Sequence, residues 1–342
     1  MEYHGILLGM GNPLLDISAT VDYNFLKKYD IKLNNIKLCE VDQLAMYDDL
    51  VKNYDVEYIP GGATQNSIRV AQWLLPYPEA TSYIGCIGKD KFGEEMKKSA
   101  KLAGIDAYYY EDEATPTGTC AVIYFGGERS LIANLSAANC FKAEHLKHPE
   151  IWARVEKAKY FYVAGFFLTV SLESIKVLAK NAAENNKIFT MDLSAPFICQ
   201  FFKDEQDQIM PYIDYVFGTE VEARTFSKVH GWKTDDVEEI AIKISQLPKA
   251  CGTRKRIVVF IQGPVLPIVV AEEGKTKLFS FVPLPKDKIV DTNGVADAFV
   301  GGFLSQLVQE KGIGECVRVG CDAALTMLQR PGCSCPPLSH FS

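Results

Sequence analysis

From Tyr160 onward, short apolar runs alternate with amphipathic stretches. Tyr160–Ala164, Ile188–Asp192, Tyr215–Phe217 and Ile257–Ile261 read as strands, with Leu172–Asn185, Glu220–His230 and Val237–Leu247 as helices. Strands joined through helices run parallel, and parallel sheets are covered by helices on both faces. The expected class is therefore α/β, with a doubly wound, mainly parallel sheet flanked by helices. Val265–Val270 and Leu278–Val282 add an edge hairpin, and helices at Ala296–Gln309 and Ile313–Leu328 close the body. Upstream, Ile6–Leu8 and Ala80–Gly85 are further strands, and helices are expected at Ile68–Leu75 and from Gly93 through Ala103. Ala107–Tyr110, Cys120–Phe125 and Leu131–Asn134 look like short strands joined by turns. The mixed, charged segment from Tyr23 to Tyr58, with a helix at Val41–Asn53, reads as an insertion on the sheet. The expectation is one domain over residues 1–342, carrying a small strand-rich lid built from discontinuous segments at about 17–60 and 107–135.

Charge and cysteine usage limit the function. The net charge is −7 without any Lys/Arg run, which argues against nucleic-acid backbones and anionic membranes as partners. None of the ten cysteines forms a C-x-x-C pair. Cys333 and Cys335 lack a second pair to complete a metal site, so reduced thiols in a cytoplasmic protein are expected. Met1-Glu2-Tyr3-His4 does not open a signal peptide, and no apolar run is long enough to span a bilayer.

Candidate chemistry gathers at Asp291-Thr292-Asn293-Gly294-Val295-Ala296-Asp297, where a small-residue turn runs into an apolar helix. The first turn of a helix has unpaired N–H groups and attracts anions. A carboxylate beside such a site suits removal of a proton from a hydroxyl that attacks a phosphate. The plainer alternative is an ordinary Asp near a helix start. Asp16 follows a strand and a turn, where a carboxylate can grip paired sugar hydroxyls or simply bond a turn amide. Gly61-Gly62-Ala63-Thr64-Gln65-Asn66-Ser67 opens a helix with two glycines that allow a close ligand approach, and Asn66 can both donate and accept. Arg129, beside the Gly126-Gly127 turn, is either a solvated hairpin residue or a cation carried over a phosphate by the lid.

These segments resemble the ribokinase-like (pfkB) family of small-molecule kinases, and within it the adenosine-kinase branch. The match runs over nearly the whole chain through Gly9–Ile17, Gly61–Ser67, Ser130–Leu135 and Gly165–Leu168. The resemblance implies ATP-dependent phosphorylation of adenosine at its 5′-hydroxyl, with Mg²⁺ as cofactor. It places Asp16, Gly61, Gly62 and Asn66 around the ribose and Asn12 beside the same pocket. Leu14, Leu131, Ala133 and Phe167 become walls for the adenine ring. Asp297 becomes the base, and the amides of Gly294, Val295, Ala296 and Asp297 the anion hole, with Arg129 reaching in from the lid. Thr219, Gln262, Gly263 and Asn293 fall on the ATP side, and Glu222 would help place Mg²⁺ through water. Members of this branch act as monomers, so a monomer is expected, and the resemblance leaves room for a nuclear pool.

Some positions depart from the family pattern. Gly-Ala-Gly-Asp is here Gly294-Val295-Ala296-Asp297, and the Asn of Asn-x-x-Glu is Thr219. Ile261 stands before Gln262-Gly263 where Thr is usual, and Pro264 follows. Ile36 replaces a Gln and Ala63 a Ser, and Cys321-Asp322 stand where His-Tyr is usual. A methyl at Ala296 costs about five-fold if the position needs φ > 0, and roughly a hundred-fold or more if it displaces the phosphate. A nucleoside-binding protein with impaired transfer, and a kinase of another nucleoside or a sugar, therefore stay open beside an active adenosine kinase.

Overall fold

The computed structural model describes residues 3–250, 254–263 and 266–336. Met1, Glu2, Cys251, Pro264 and Val265 lie outside them. Among the described residues fourteen strands form two sheets. They are β1 (Leu7–Met10), β2 (Leu14–Thr20), β3 (Ile36–Leu38), β4 (Glu57–Gly61), β5 (Thr81–Gly88), β6 (Asp106–Asp112), β7 (Thr119–Phe125) and β8 (Glu128–Asn134). The remainder are β9 (Tyr160–Val163), β10 (Ile188–Asp192), β11 (Tyr215–Thr219), β12 (Ile257–Ile261), β13 (Ile268–Glu272) and β14 (Lys275–Phe279).

The larger sheet has nine strands in the order β14-β13-β12-β11-β10-β9-β1-β5-β6. It is parallel from β6 to β12, and β13 and β14 complete it as an antiparallel edge hairpin. Alternate side chains leave a strand on opposite faces, and each face buries its own core. Leu8, Phe161, Val163, Val258 and Phe260 enter one core, while Leu7, Tyr160, Tyr162 and Val259 enter the other. Apolar runs without strict alternation are what a strand buried on both faces requires.

The second sheet has five strands in the order β3-β8-β7-β2-β4. Here period two separates two jobs. Ile17, Ala19, Ala121, Ile123 and Ile132 face a small core that also holds Phe25, Leu26, Met46 and Leu50 from the helices Tyr23–Lys28 and Ala45–Asn53. Leu14, Cys120, Val122, Leu131 and Ala133 take the opposite face. The segment expected as an insertion is thus part of this sheet, supplying β3, β4 and the helices behind it. The strand at Asp106–Asp112, expected in the lid, pairs instead with β5 at the edge of the large sheet. Among the described residues no helix is long and apolar enough to cross a membrane.

Three helices bring the central motif into place. The Val295–Leu307 helix packs on the Ala63–Leu74 and Ile313–Met327 helices at adjacent glycines. A Cβ at Gly301 would lie 2.5 Å from the Ser67 carbonyl oxygen, and one at Gly302 would lie 2.6 Å from that of Val319. Only glycine permits backbones to approach this closely.

Candidate active site

The turn preceding the Val295–Leu307 helix is built around Asp291. Its Oδ1 accepts a hydrogen bond from the Asn293 amide at 2.8 Å. Its Oδ2 accepts from the Tyr124 hydroxyl at 2.8 Å and from the Gly332 amide at 2.7 Å. Gly294 caps the helix in the left-handed region, at φ 74°, where a side chain is strained and a Cβ would sit 2.8 Å from that of Cys333. The following residues, Val295, Ala296 and Asp297, line a cavity of about 550 Å³ between the two sheets' helices and loops. As the first turn of a thirteen-residue helix, this stretch presents unpaired N–H groups and the positive end of the dipole. Asp297 is fixed from the neighbouring helix: Asn66 Nδ2 donates to its Oδ2 at 2.9 Å, and the Ser67 hydroxyl donates to its carbonyl at 2.9 Å.

The five-stranded sheet turns one face to the same cavity. Asp16 is not past a strand end as the sequence suggested; it is the third residue of β2 and shares the cavity face with Leu14. Its carboxylate fits because Gly61, the β4 partner of Leu14 and its diagonal neighbour, has no side chain: a Cβ there would lie 2.6 Å from Asp16 Oδ1. Gly61 thus makes room for Asp16 and does not itself line the cavity, whereas Gly62 does. Gly62 has φ 97°, and its Cβ would be 2.2 Å from the Asn12 carbonyl oxygen. Asn12 and Asn66 both line the cavity, and each has a buried side-chain oxygen without a partner. Such an orphan acceptor is costly unless a ligand hydroxyl completes it. Leu14, Ile36, Leu131, Ala133 and Phe167 surround this end with apolar surface.

Arg129 lies near the start of β8, next to a Gly126-Gly127 turn with positive φ at both residues. It reaches from the lid onto the central turn, donating to Thr292 Oγ1 at 3.2 Å and to Asn293 Oδ1 at 3.4 Å. Asn293, expected on the nucleotide side, has its amide engaged across the cavity, since its Nδ2 donates to Asp16 Oδ2 at 3.1 Å.

The other end belongs to the large sheet. Thr219 ends β11, and its backbone N–H donates to Glu222 Oε2 at 2.8 Å, anchoring that carboxylate in the first turn of the Glu220–Val229 helix. Gly263 lines the cavity, but Gln262 does not; its amide is bonded to the Pro267 carbonyl at 3.0 Å. Ile261, Ile268, Phe281, Leu284, Leu325 and Leu328 make this end apolar as well. The cavity therefore has two apolar ends and a polar middle.

Sequence reasoning missed Asp192 and Asp291. Asp192, at the end of β10, lines the cavity and accepts from the Gly165 amide at 2.9 Å and the Tyr162 hydroxyl at 3.1 Å. Its position at a strand's carboxyl end was the available signal. Asp291 was read only as part of an acidic turn. Burial pushes Asp16, Glu222 and Asp297 each up to about 7, far above an ordinary carboxylate. Burial raises Asp192 too. Hydrogen bonds from Asn66 to Asp297 and from Asn293 to Asp16 oppose the rise.

Comparison with known proteins finds related kinases. A family model described as pfkB family carbohydrate kinase matches residues 24–339. Adenosine kinase 1 of Arabidopsis thaliana is 67% identical over 341 residues, covering 100% of this chain and 99% of its own. Anopheles gambiae adenosine kinase, solved with P1,P4-di(adenosine-5) tetraphosphate, superposes with a TM-score of 0.94 at 45% identity, covering 96% of this chain and 97% of its own. Adenosine kinase from Schistosoma mansoni, solved with 2-fluoroadenosine, gives 0.95 at 34% identity over 99% of each chain.

The raised Asp297 group has a consequence for stability. A carboxyl whose folded value lies above its unfolded one stabilises the fold while protonated, and that contribution is lost as pH rises from about 4 to about 7. Asn keeps the hydrogen bond from Asn66 without the charge. Asp297→Asn should therefore melt a few degrees above wild type at about pH 8, with the gap closing toward about pH 4. Thermal melts across that range check the sign.

Proposed function

The chain belongs to the pfkB family of carbohydrate kinases, and on the site it carries we propose that it is an ATP-dependent adenosine kinase, forming AMP and ADP. The observation that supports this most is Asp297 itself. It is a buried carboxylate at an open helix N-terminus, held by Asn66 between two apolar pockets of one cavity.

Adenosine occupies the lid end, its ring against Leu14, Ile36, Leu131, Ala133 and Phe167. Asp16 and the orphan oxygens of Asn12 and Asn66 take up the ribose hydroxyls, with Gly62 permitting close approach. That directs the 5′-hydroxyl at Asp297, which accepts its proton as the oxygen attacks the γ-phosphorus. The bond from that phosphorus to the β-bridging oxygen breaks, and ADP leaves. Charge on the transferring group is met by the amides of Gly294 to Asp297 and by Arg129. Little covalent chemistry is asked of the protein; alignment and charge stabilisation carry the rate. The apolar walls beyond Thr219 and Gly263 suit the adenine of ATP, and they weigh against a bare sugar in the lid pocket.

The donor set fits Mg²⁺. Asp16, Asp192, Glu220, Glu222 and Asp297 line the cavity, with Arg129 and Lys37 as the cationic side chains among its described lining, so a divalent cation would offset the charge of a polyphosphate entering it. Mg²⁺ takes oxygen ligands and keeps several waters, and no cluster of three or more potential ligands occurs among the described residues. Glu222 would hold it through water. When bound, the ion neutralises phosphate charge and orients the γ-phosphoryl group. We take the protein to act as a monomer in the cytoplasm, with nine described cysteines all free, in keeping with a reducing compartment.

Of the departures from the family pattern, Ala296 stands nearest the chemistry. It is the second residue of the helix and is not among the residues with positive φ. The backbone penalty for a side chain in the left-handed region does not apply, so Ala296→Gly should change kcat by less than about five-fold. A gain of roughly a hundred-fold would instead mean that the methyl displaces the phosphoryl group, and would favour the impaired reading.

Purified protein with adenosine, ATP and Mg²⁺ should release AMP, and Asp297→Asn should lower kcat by at least about a thousand-fold. Wild-type turnover no faster than that variant, with adenosine still bound in calorimetry, would replace the kinase by a nucleoside-binding protein.

A further inference from the structure

Asn293 has a side chain whose two ends are used differently. Its Nδ2 donates to Asp16 Oδ2 at 3.1 Å, and its Oδ1 accepts from Arg129 at 3.4 Å. An amide can satisfy a carboxylate and a guanidinium only in that orientation, with the nitrogen toward the anion. The residue is 7% exposed and its backbone N–H is held by Asp291, so the amide is not free to swing. Asp16 Oδ2 is thereby occupied and its direction set. Among the described residues Oδ1 accepts no side-chain hydrogen bond, and it lies beside Gly61, in a cavity that also holds the orphan oxygens of Asn12 and Asn66.

We propose that Asn293 is a positioning residue for the acceptor: it fixes the Asp16 carboxylate so that its remaining oxygen meets the ribose hydroxyls. The inference rests on the adenosine reading above and deepens it. It moves Asn293 from the phosphate donor's side to the acceptor's, although the residue stands one place before the anion-hole turn. The turn that receives the phosphoryl group and the carboxylate that grips the sugar are then joined by one side chain.

The charge state of Asp16 supplies a readout that simple loosening does not move. Burial raises this group to about 7, and the Asn293 hydrogen bond opposes the rise. The other groups acting on it are Asp297 from the Val295–Leu307 helix, Arg69 from the Ala63–Leu74 helix and Arg129 from β8. Cys120 and Tyr124 of β7 and Cys333 of the C-terminal segment also couple to it. Asn293→Ala keeps all of these charges in place and, among them, touches Arg129, which loses its bond to Asn293 Oδ1. Without the amide donor the carboxyl must titrate higher, and the ionised form is the one that accepts both hydroxyls.

The experiment is calorimetric titration with adenosine of wild type, Asn293→Ala and Tyr124→Phe, each checked by thermal melt. Tyr124→Phe removes a bond to Asp291 in the same turn and leaves the Asp16–Asn293 pair intact. Asn293→Ala should bind adenosine about ten-fold more weakly at about pH 6.5 and recover toward about pH 9, its midpoint displaced above that of wild type. Tyr124→Phe should keep the wild-type midpoint. An unchanged midpoint in Asn293→Ala, or the same displacement in Tyr124→Phe, overturns the proposal. Wild type that binds no adenosine at any pH faults the adenosine reading itself, and the inference with it.

Discussion

Three parts of the molecule distant in sequence meet on the carboxylate of Asp291. Tyr124 donates from the lid, the Asn293 amide from the central turn, and the Gly332 amide from the C-terminal segment. A buried carboxylate needs several donors to remain tolerable, and here each donor comes from an element that must be in register for the site to exist. The turn then delivers Gly294 in its left-handed conformation, the open helix end and Asp297. Without that junction the five-stranded sheet would not meet the helix N-terminus, and the two apolar pockets would not share a polar middle.

The same cavity concentrates carboxyl groups. Asp16, Asp192, Glu222 and Asp297 all titrate high because they are buried, and Asp192 raises both Asp297 and Glu222 further. An acidic cavity is a poor host for a polyphosphate alone, but a fitting one for a polyphosphate that arrives with a divalent cation. A base whose proton affinity sits near neutrality is also suited to take a proton from an alcohol as it attacks.

The body of the fold was legible because parallel strands buried on both faces must be apolar throughout, and helices between them must be amphipathic. Tyr160–Val163 and Ile257–Ile261 show this plainly. The lid was harder. β3 spans three half-buried residues, and β4 contains Pro60, which an edge strand tolerates but which reads as a turn. β2 follows β1 after a short Gly-Asn-Pro turn yet belongs to the other sheet, so Asp16 looked like a strand-end residue. Asp297, Asn66, Asp16 and Arg129 could be singled out from local motifs. Asp192 and Asp291 could not, because their roles come from Tyr162, Gly332 and Tyr124, contacts made only in three dimensions. The bond from Asn293 to Asp16 was hidden for the same reason.

A crystal structure with adenosine and a non-hydrolysable ATP analogue tests the central claim most directly. The account predicts the ribose hydroxyls on Asp16, the 5′-oxygen within hydrogen-bonding distance of the Asp297 carboxylate, and the γ-phosphate over the amides of Gly294 to Asp297. A nucleoside seated with its 5′-oxygen turned away from Asp297, or a γ-phosphate bound elsewhere than that helix end, would contradict it.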